Sequence, residues 1–105
     1  MAPITVTLDR FDALIARGVV VLDCSARWCA PCRMFAPVFA AAAQRRPELV
    51  FGTLDTDDEP ALAARLDVRA QPTLVVFRDG ALIYKQVGAL SPAKLDALLE
   101  RFTAA

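Results

Sequence analysis

The chain has no histidine and only three cysteines in 105 residues. A zinc site needs four ligands, and without imidazole only Cys24 and carboxylates could complete one begun by the other two cysteines. No metal is therefore expected. Three thiols close at most one disulfide, too few for a stapled secreted scaffold, and suit an intracellular protein that uses cysteine for chemistry. Net charge is also missing: 12 Lys and Arg balance 12 Asp and Glu. No overall field draws the chain to nucleic acid or an anionic membrane. No apolar run approaches the roughly 20 residues that span a bilayer. Met1–Thr5 carries neither a basic segment nor an apolar stretch, so no secretory leader and a cytoplasmic location are expected. Repeats, linkers and low-complexity segments are absent too. What remains is 56% hydrophobic, which excludes disorder and predicts one domain, 1–105, with a single core.

The chain is organised around Trp28-Cys29-Ala30-Pro31-Cys32-Arg33. Two residues between cysteines put both sulfurs on one helical face and let them close a short disulfide. Alone, C-x-x-C serves redox chemistry or half a zinc site. Here the apolar run Val19-Val20-Val21-Leu22 precedes it, and Met34-Phe35-Ala36-Pro37-Val38-Phe39 follows with a helical pattern. A strand feeding C-x-x-C at a helix start reads as a redox motif. Cys29, at that start, meets unpaired N–H groups and the positive dipole end, which suits the attacking nucleophile. Cys32, one turn on, is the resolving thiol and the more buried of the two.

Along the chain, Ile4 to Val6 predicts a short edge strand. Thr7 caps a helix carrying Leu8, Phe11, Leu14 and Ile15, which Gly18 stops. Val19 to Ser25 is a buried strand, and a helix from about Ala30 to Arg46 contains Pro37, which should kink it. Leu49 to Leu54 is a strand, and Asp57 or Asp58 caps a short helix through Leu62 and Leu66. Thr73 to Phe77 is a strand, Asp79-Gly80 a hairpin turn into Ala81 to Val87, and Ser91-Pro92 opens the last helix. The order is βαβαβαββα: parallel pairing in the alternating part, with an antiparallel strand added by the final hairpin.

These landmarks together resemble the thioredoxin family over essentially the whole length. The match rests on Asp23, Trp28 to Cys32 (a C-A-P-C variant), Pro37, Pro72-Thr73, Phe77-Arg78-Asp79-Gly80 and Val87-Gly88-Ala89-Leu90-Ser91. The resemblance implies an α/β thioredoxin fold, a central mixed sheet with helices on both faces. It implies reduction of protein disulfides through a reversible Cys29–Cys32 disulfide and a mixed-disulfide intermediate. No cofactor is needed, because the dithiol carries the electrons, and an NADPH-dependent thioredoxin reductase recharges it. The expected state is a monomer.

Asp23, six residues before Cys29 in an apolar strand, should be desolvated and its pKa raised. The resemblance makes it the group that deprotonates Cys32. It also implies a cis bond before Pro72, with the Gln71 backbone pairing to an extended substrate. Trp28, Ala30, Pro31, Ala70, Pro72, Val87, Gly88 and Ala89 would surround the sulfur as an apolar rim, Trp28 being either a core aromatic or an exposed platform. Gly88 would let a partner backbone approach. Arg27, Arg33 and Arg69 flank the rim and would favour acidic partners. Cys24 reads as a small buried hydrophobe, and Asp55, Asp57, Asp58 and Glu59 as a solvated helix start. The chain departs from the family at Ala30 (usually Gly), Ser25 (commonly aromatic), Gln71 (usually aliphatic) and Thr53 (typically Lys), positions bearing on potential and substrate preference. An oxidase or isomerase is the alternative within the class. A redox-silent binding module is the alternative outside it, against which intact Cys29 and Cys32 argue.

Overall fold

The computed structural model describes residues 2–103. In chain order they form β1 (Ile4–Thr5), α1 (Leu8–Ile15), β2 (Val19–Ser25), α2 (Ala30–Arg45), β3 (Val50–Asp55), α3 (Pro60–Arg65), β4 (Thr73–Arg78), β5 (Ala81–Val87) and α4 (Pro92–Thr103). The five strands make one sheet in the order β1-β3-β2-β4-β5. β1 and β2 flank β3 in parallel, β4 runs antiparallel to β2, and β5 antiparallel to β4. This is the thioredoxin fold.

The parallel part ends at β3, and the reversal at β4 has a length explanation. A six-residue helix such as α3 rises about 9 Å, whereas a six-residue strand runs about 20 Å. α3 therefore leaves the chain at the end of the sheet where β2 also finishes. β4 enters there, with Thr73 opposite Cys24.

Helices cover both faces. On one, α2 and α4 bring Phe35, Phe39, Leu95 and Leu99 against Val21, Phe51, Leu74 and Val76. On the other, α1 and α3 bring Phe11, Ile15, Leu62 and Leu66 against Val20, Leu22, Cys24, Leu54, Val75 and Phe77. A strand buried on both sides has no polar positions to alternate, which is why β2 reads as an unbroken apolar run. Each such buried Val, Leu or Phe is worth roughly 1.5–3 kcal/mol over leaving it in water. Gly52 lets the β1 segment close in: a Cβ there would meet Val6 Cγ2 at 2.7 Å and Leu22 Cδ2 at 2.9 Å.

Several ends differ from the sequence reading. Thr7 is the N-cap of α1 but makes no side-chain cap; its hydroxyl donates to Asp9 instead. The N-cap of α3 is Glu59, not Asp57 or Asp58, and those two donate their N–H groups to Asp55 Oδ1. The Glu59 carboxylate is used elsewhere, accepting the Leu8 N–H at 2.9 Å. α2 continues through Pro37 as one element. The Asp79-Gly80 turn has positive φ at both residues, as a two-residue hairpin needs, and Asp79 Oδ1 accepts the Gly18 N–H.

Candidate active site

The site lies where β2 ends and α2 begins. Cys29 is the N-cap of α2, and its Sγ accepts the Cys32 N–H at 3.3 Å. Pro31 falls in the first turn, where no backbone donor is needed. Across the gap, the Cys29 thiol donates to the Gln71 carbonyl at 3.5 Å. The Gln71–Pro72 bond is cis. Pro72 is buried under the loop, and its carbonyl accepts the Gly88 N–H at 2.8 Å, tying the end of β5 to the site. Gly88 holds φ at +108°, a conformation that disfavours side-chain-bearing residues.

Both thiols are nearly covered, Cys29 at 5% and Cys32 at 3% exposure. Exposure thus hardly separates them; their surroundings do. Burial, then the hydrogen bond with Cys29, push the Cys32 thiol up to about 11. Such a thiol needs a base before it can act as a nucleophile. Asp23, on the face of β2 that α2 covers, is 2% exposed, and desolvation pushes its carboxyl up to about 7. Its Oδ1 has no hydrogen-bond partner among the described residues. Its charge is close enough to raise Cys32 further. In register beside it stands Thr53, which offers no countercharge.

The residues expected at the rim differ in exposure. Trp28 is 65% exposed, a platform and not a core aromatic, with its indole N–H donating to Asp57 at 2.8 Å. Ala30, Pro31, Val87 and Ala89 are exposed, and Ala70, Gln71 and Gly88 half-buried. Pro72 is buried and lies beneath the rim. The arginines differ from expectation. Arg27 forks onto both Asp58 oxygens and nears Asp55, while Arg69 pairs with Asp67, so neither is a free cation for an acidic partner. Arg33 reaches back to the Arg27 carbonyl. Asp55, Asp57 and Asp58 accordingly hold Arg27 and Trp28, a task that their reading as solvated charge overlooked.

Two residues were missed. Met34, counted in the apolar pattern of α2, is 74% exposed. Thr56, hidden in an acidic run, is buried at 8%, and its Oγ1 accepts from Gln71 Nε2 at 3.1 Å. A lone threonine among aspartates gave no periodic signal. Cys24 is wholly buried, and desolvation pushes its thiol up to about 12.

Known proteins carry the same arrangement. The thioredoxin family model matches residues 2–101. The chain is 38% identical over 104 residues to a thioredoxin of Staphylococcus aureus, covering 96% of this chain and 98% of that one. It is 38% identical over 97 residues to a putative thioredoxin 2 of Streptomyces coelicolor, covering 91% and 72%. Among solved structures, a mutant thioredoxin from Halobacterium salinarum superposes with a TM-score of 0.92 at 33% identity, covering 99% of this chain and 93% of that one. Oxidised mitochondrial thioredoxin 3 of Saccharomyces cerevisiae gives 0.86 at 35% identity, covering 94% of each. With a match across nearly every described residue, the chain belongs to the thioredoxin family of thiol–disulfide oxidoreductases.

Proposed function

We propose that Cys29 and Cys32 divide the reduction of a protein disulfide into two exchanges. Cys29 thiolate attacks one substrate sulfur, forming a mixed disulfide and releasing the other substrate sulfur as a thiolate. Cys32 passes its proton to Asp23 and attacks Cys29 Sγ. The Cys29–Cys32 disulfide forms and the second substrate thiolate leaves, two electrons having moved to the substrate. The observation that carries this reading is the contrast in setting: a nucleophile capping a helix N-terminus and a resolving thiol held protonated above a carboxyl pushed up to about 7. Pro72 shapes the loop, and Gln71, Val87, Gly88 and Ala89 with Trp28, Ala30, Pro31 and Ala70 receive the substrate chain. The residues 1–105 act as one domain and as a monomer in the cytoplasm, an electron carrier for cell redox homeostasis recharged by an NADPH-dependent thioredoxin reductase. No helix among the described residues is long and apolar enough to cross a membrane.

Trapping tests the division of labour. Cys32→Ser should accumulate mixed disulfides through Cys29 that survive until a reductant is added, and Cys29→Ser should accumulate none. Faster alkylation of Cys32 than of Cys29 at pH 7 would reverse the assignment. NADPH oxidation in the presence of a purified thioredoxin reductase tests the recharging partner.

A further inference from the structure

Uncharged polar side chains in the interior are few. Among the described residues only Thr56 and Thr73 join Asp23 as buried polar groups. Thr73 is accounted for, since its hydroxyl donates to the Ala70 carbonyl at 2.6 Å. Thr56 is not used by the mechanism. It sits one residue past β3, locked to the end of β2 by its N–H donating to the Ser25 carbonyl at 2.9 Å. Its Oγ1 takes one N–H of the Gln71 amide, and the carbonyl of that same Gln71 faces the Cys29 sulfur. Thr56 is therefore two links from the reacting atom.

An amide held by one hydrogen bond cannot rotate freely without leaving a buried hydroxyl unpaired, which is unfavourable. Its other edge is then fixed in direction as well. Gln71 Oε1 has no partner among the described residues, and Gln71 is half-buried at the rim, not enclosed. In the free protein that oxygen is left to solvent. A bound chain that covers it with a methyl group leaves an acceptor unpaired; one that offers a donor does not. At a half-exposed rim the difference amounts to about one net hydrogen bond.

We propose that Thr56 and Gln71 form a polar specificity subsite, in which Thr56 is a positioning residue and Gln71 Oε1 selects disulfides whose cysteine is flanked by a hydrogen-bond donor such as serine. The subsite rests on the disulfide-reductase reading given above and adds a substrate class to it.

The test uses two symmetric peptide disulfides that differ only in serine or alanine on both sides of the cysteine. The reduced full chain is mixed with each, and the second-order rate constant is read from single-turnover fluorescence. Wild type should favour the serine peptide about three- to tenfold, the range one net hydrogen bond supports. Gln71→Leu should bring the ratio to about one, Thr56→Val should move it most of the way there, and Thr56→Ser should restore it. Because each ratio compares two substrates on one folded protein, loss of stability alone does not move it. A wild-type ratio of one overturns the subsite and leaves the reductase reading standing, as does a preference that survives Gln71→Leu. A preference that survives Thr56→Val removes Thr56 from it. Failure of wild type to reduce either peptide overturns the reductase reading and the subsite together.

Discussion

Asp23 and Cys24 are adjacent in β2 and face opposite sides of the sheet. Both are buried, at 2% and 0% exposure, and desolvation is the leading cause of a raised pKa in both. The two faces nevertheless treat them differently. On the α1 and α3 side, Cys24 is packed among Leu54, Leu62, Leu66 and Val75. A thiol, being only a weak donor, loses little by having no partner there. On the α2 side, Asp23 sits beneath Cys32 with one oxygen unpaired, a costly state for a carboxyl. At about 7 it exchanges its proton near neutral pH, whereas at about 12 the Cys24 thiol stays protonated. Burial raises both groups, and only the carboxyl stops inside the pH range at which a cell works.

The largest effect should come from moving the cysteine. Cys29→Ala should abolish insulin reduction, while Cys24→Ala should leave the rate unchanged; a slowed Cys24→Ala enzyme would erase the contrast between the faces. The next largest is in stability. Asp23 binds its proton more tightly folded than unfolded, so its burial costs nothing below the unfolded pKa of about 3.8. The cost grows as pH rises and levels off above about 7. Three units at 1.36 kcal/mol each amount to about 4 kcal/mol. Asp23→Asn should therefore stabilise the fold by up to that amount at pH 8.5 and hardly at all at pH 4, in denaturant unfolding at both. The step in which Cys32 resolves the mixed disulfide should slow in the same variant. A difference flat with pH would mean Asp23 is paired or solvated.

Smaller effects probe the opposite face. Gly52→Ala should cost about 1–3 kcal/mol by forcing Val6 and Leu22 apart, with activity retained, read as a lower urea midpoint. Cys24→Ala should cost about 1 kcal/mol for the lost sulfur contacts. The sign of its pH dependence follows from a thiol pushed up from 9.0 to about 12. Its ionisation penalty begins only above pH 9, so the cost should be constant from pH 4 to 8.

How much of this was legible in the sequence follows from how far each signal reaches along the chain. The β2 run, the C-x-x-C and the Asp79-Gly80 turn are local patterns, and each occupies its expected place. The raised pKa of Asp23 was also legible, because a carboxyl directly after a four-residue apolar run, in a buried strand, has few ways to be solvated. Partners distant in sequence were not. Arg27 with Asp58, Trp28 with Asp57, and Thr56 with Gln71 are separated by 31, 29 and 15 residues. Only the docking of the β3–α3 loop beside the start of α2 decides which acid meets which base. Arg27 and Arg69 were read as open to acidic partners, and each pairs instead with an aspartate of this chain while staying largely exposed.

The carboxylate of Glu59 has a consequence for the order in which the chain folds. It satisfies the first N–H of α1 from 51 residues away. α1 itself has eight residues and no side-chain cap of its own, too short a helix to persist alone in water. β1, just before it, has only β3 to pair with. The segment ahead of β2 thus leans on residues later in the chain, Glu59, Arg65 and Phe77 among them, and should dock late. Pulsed hydrogen exchange during refolding should find the amides of Leu22 and Phe51 protected before those of Asp12 and Ala13, although α1 is the nearer to the start of the chain.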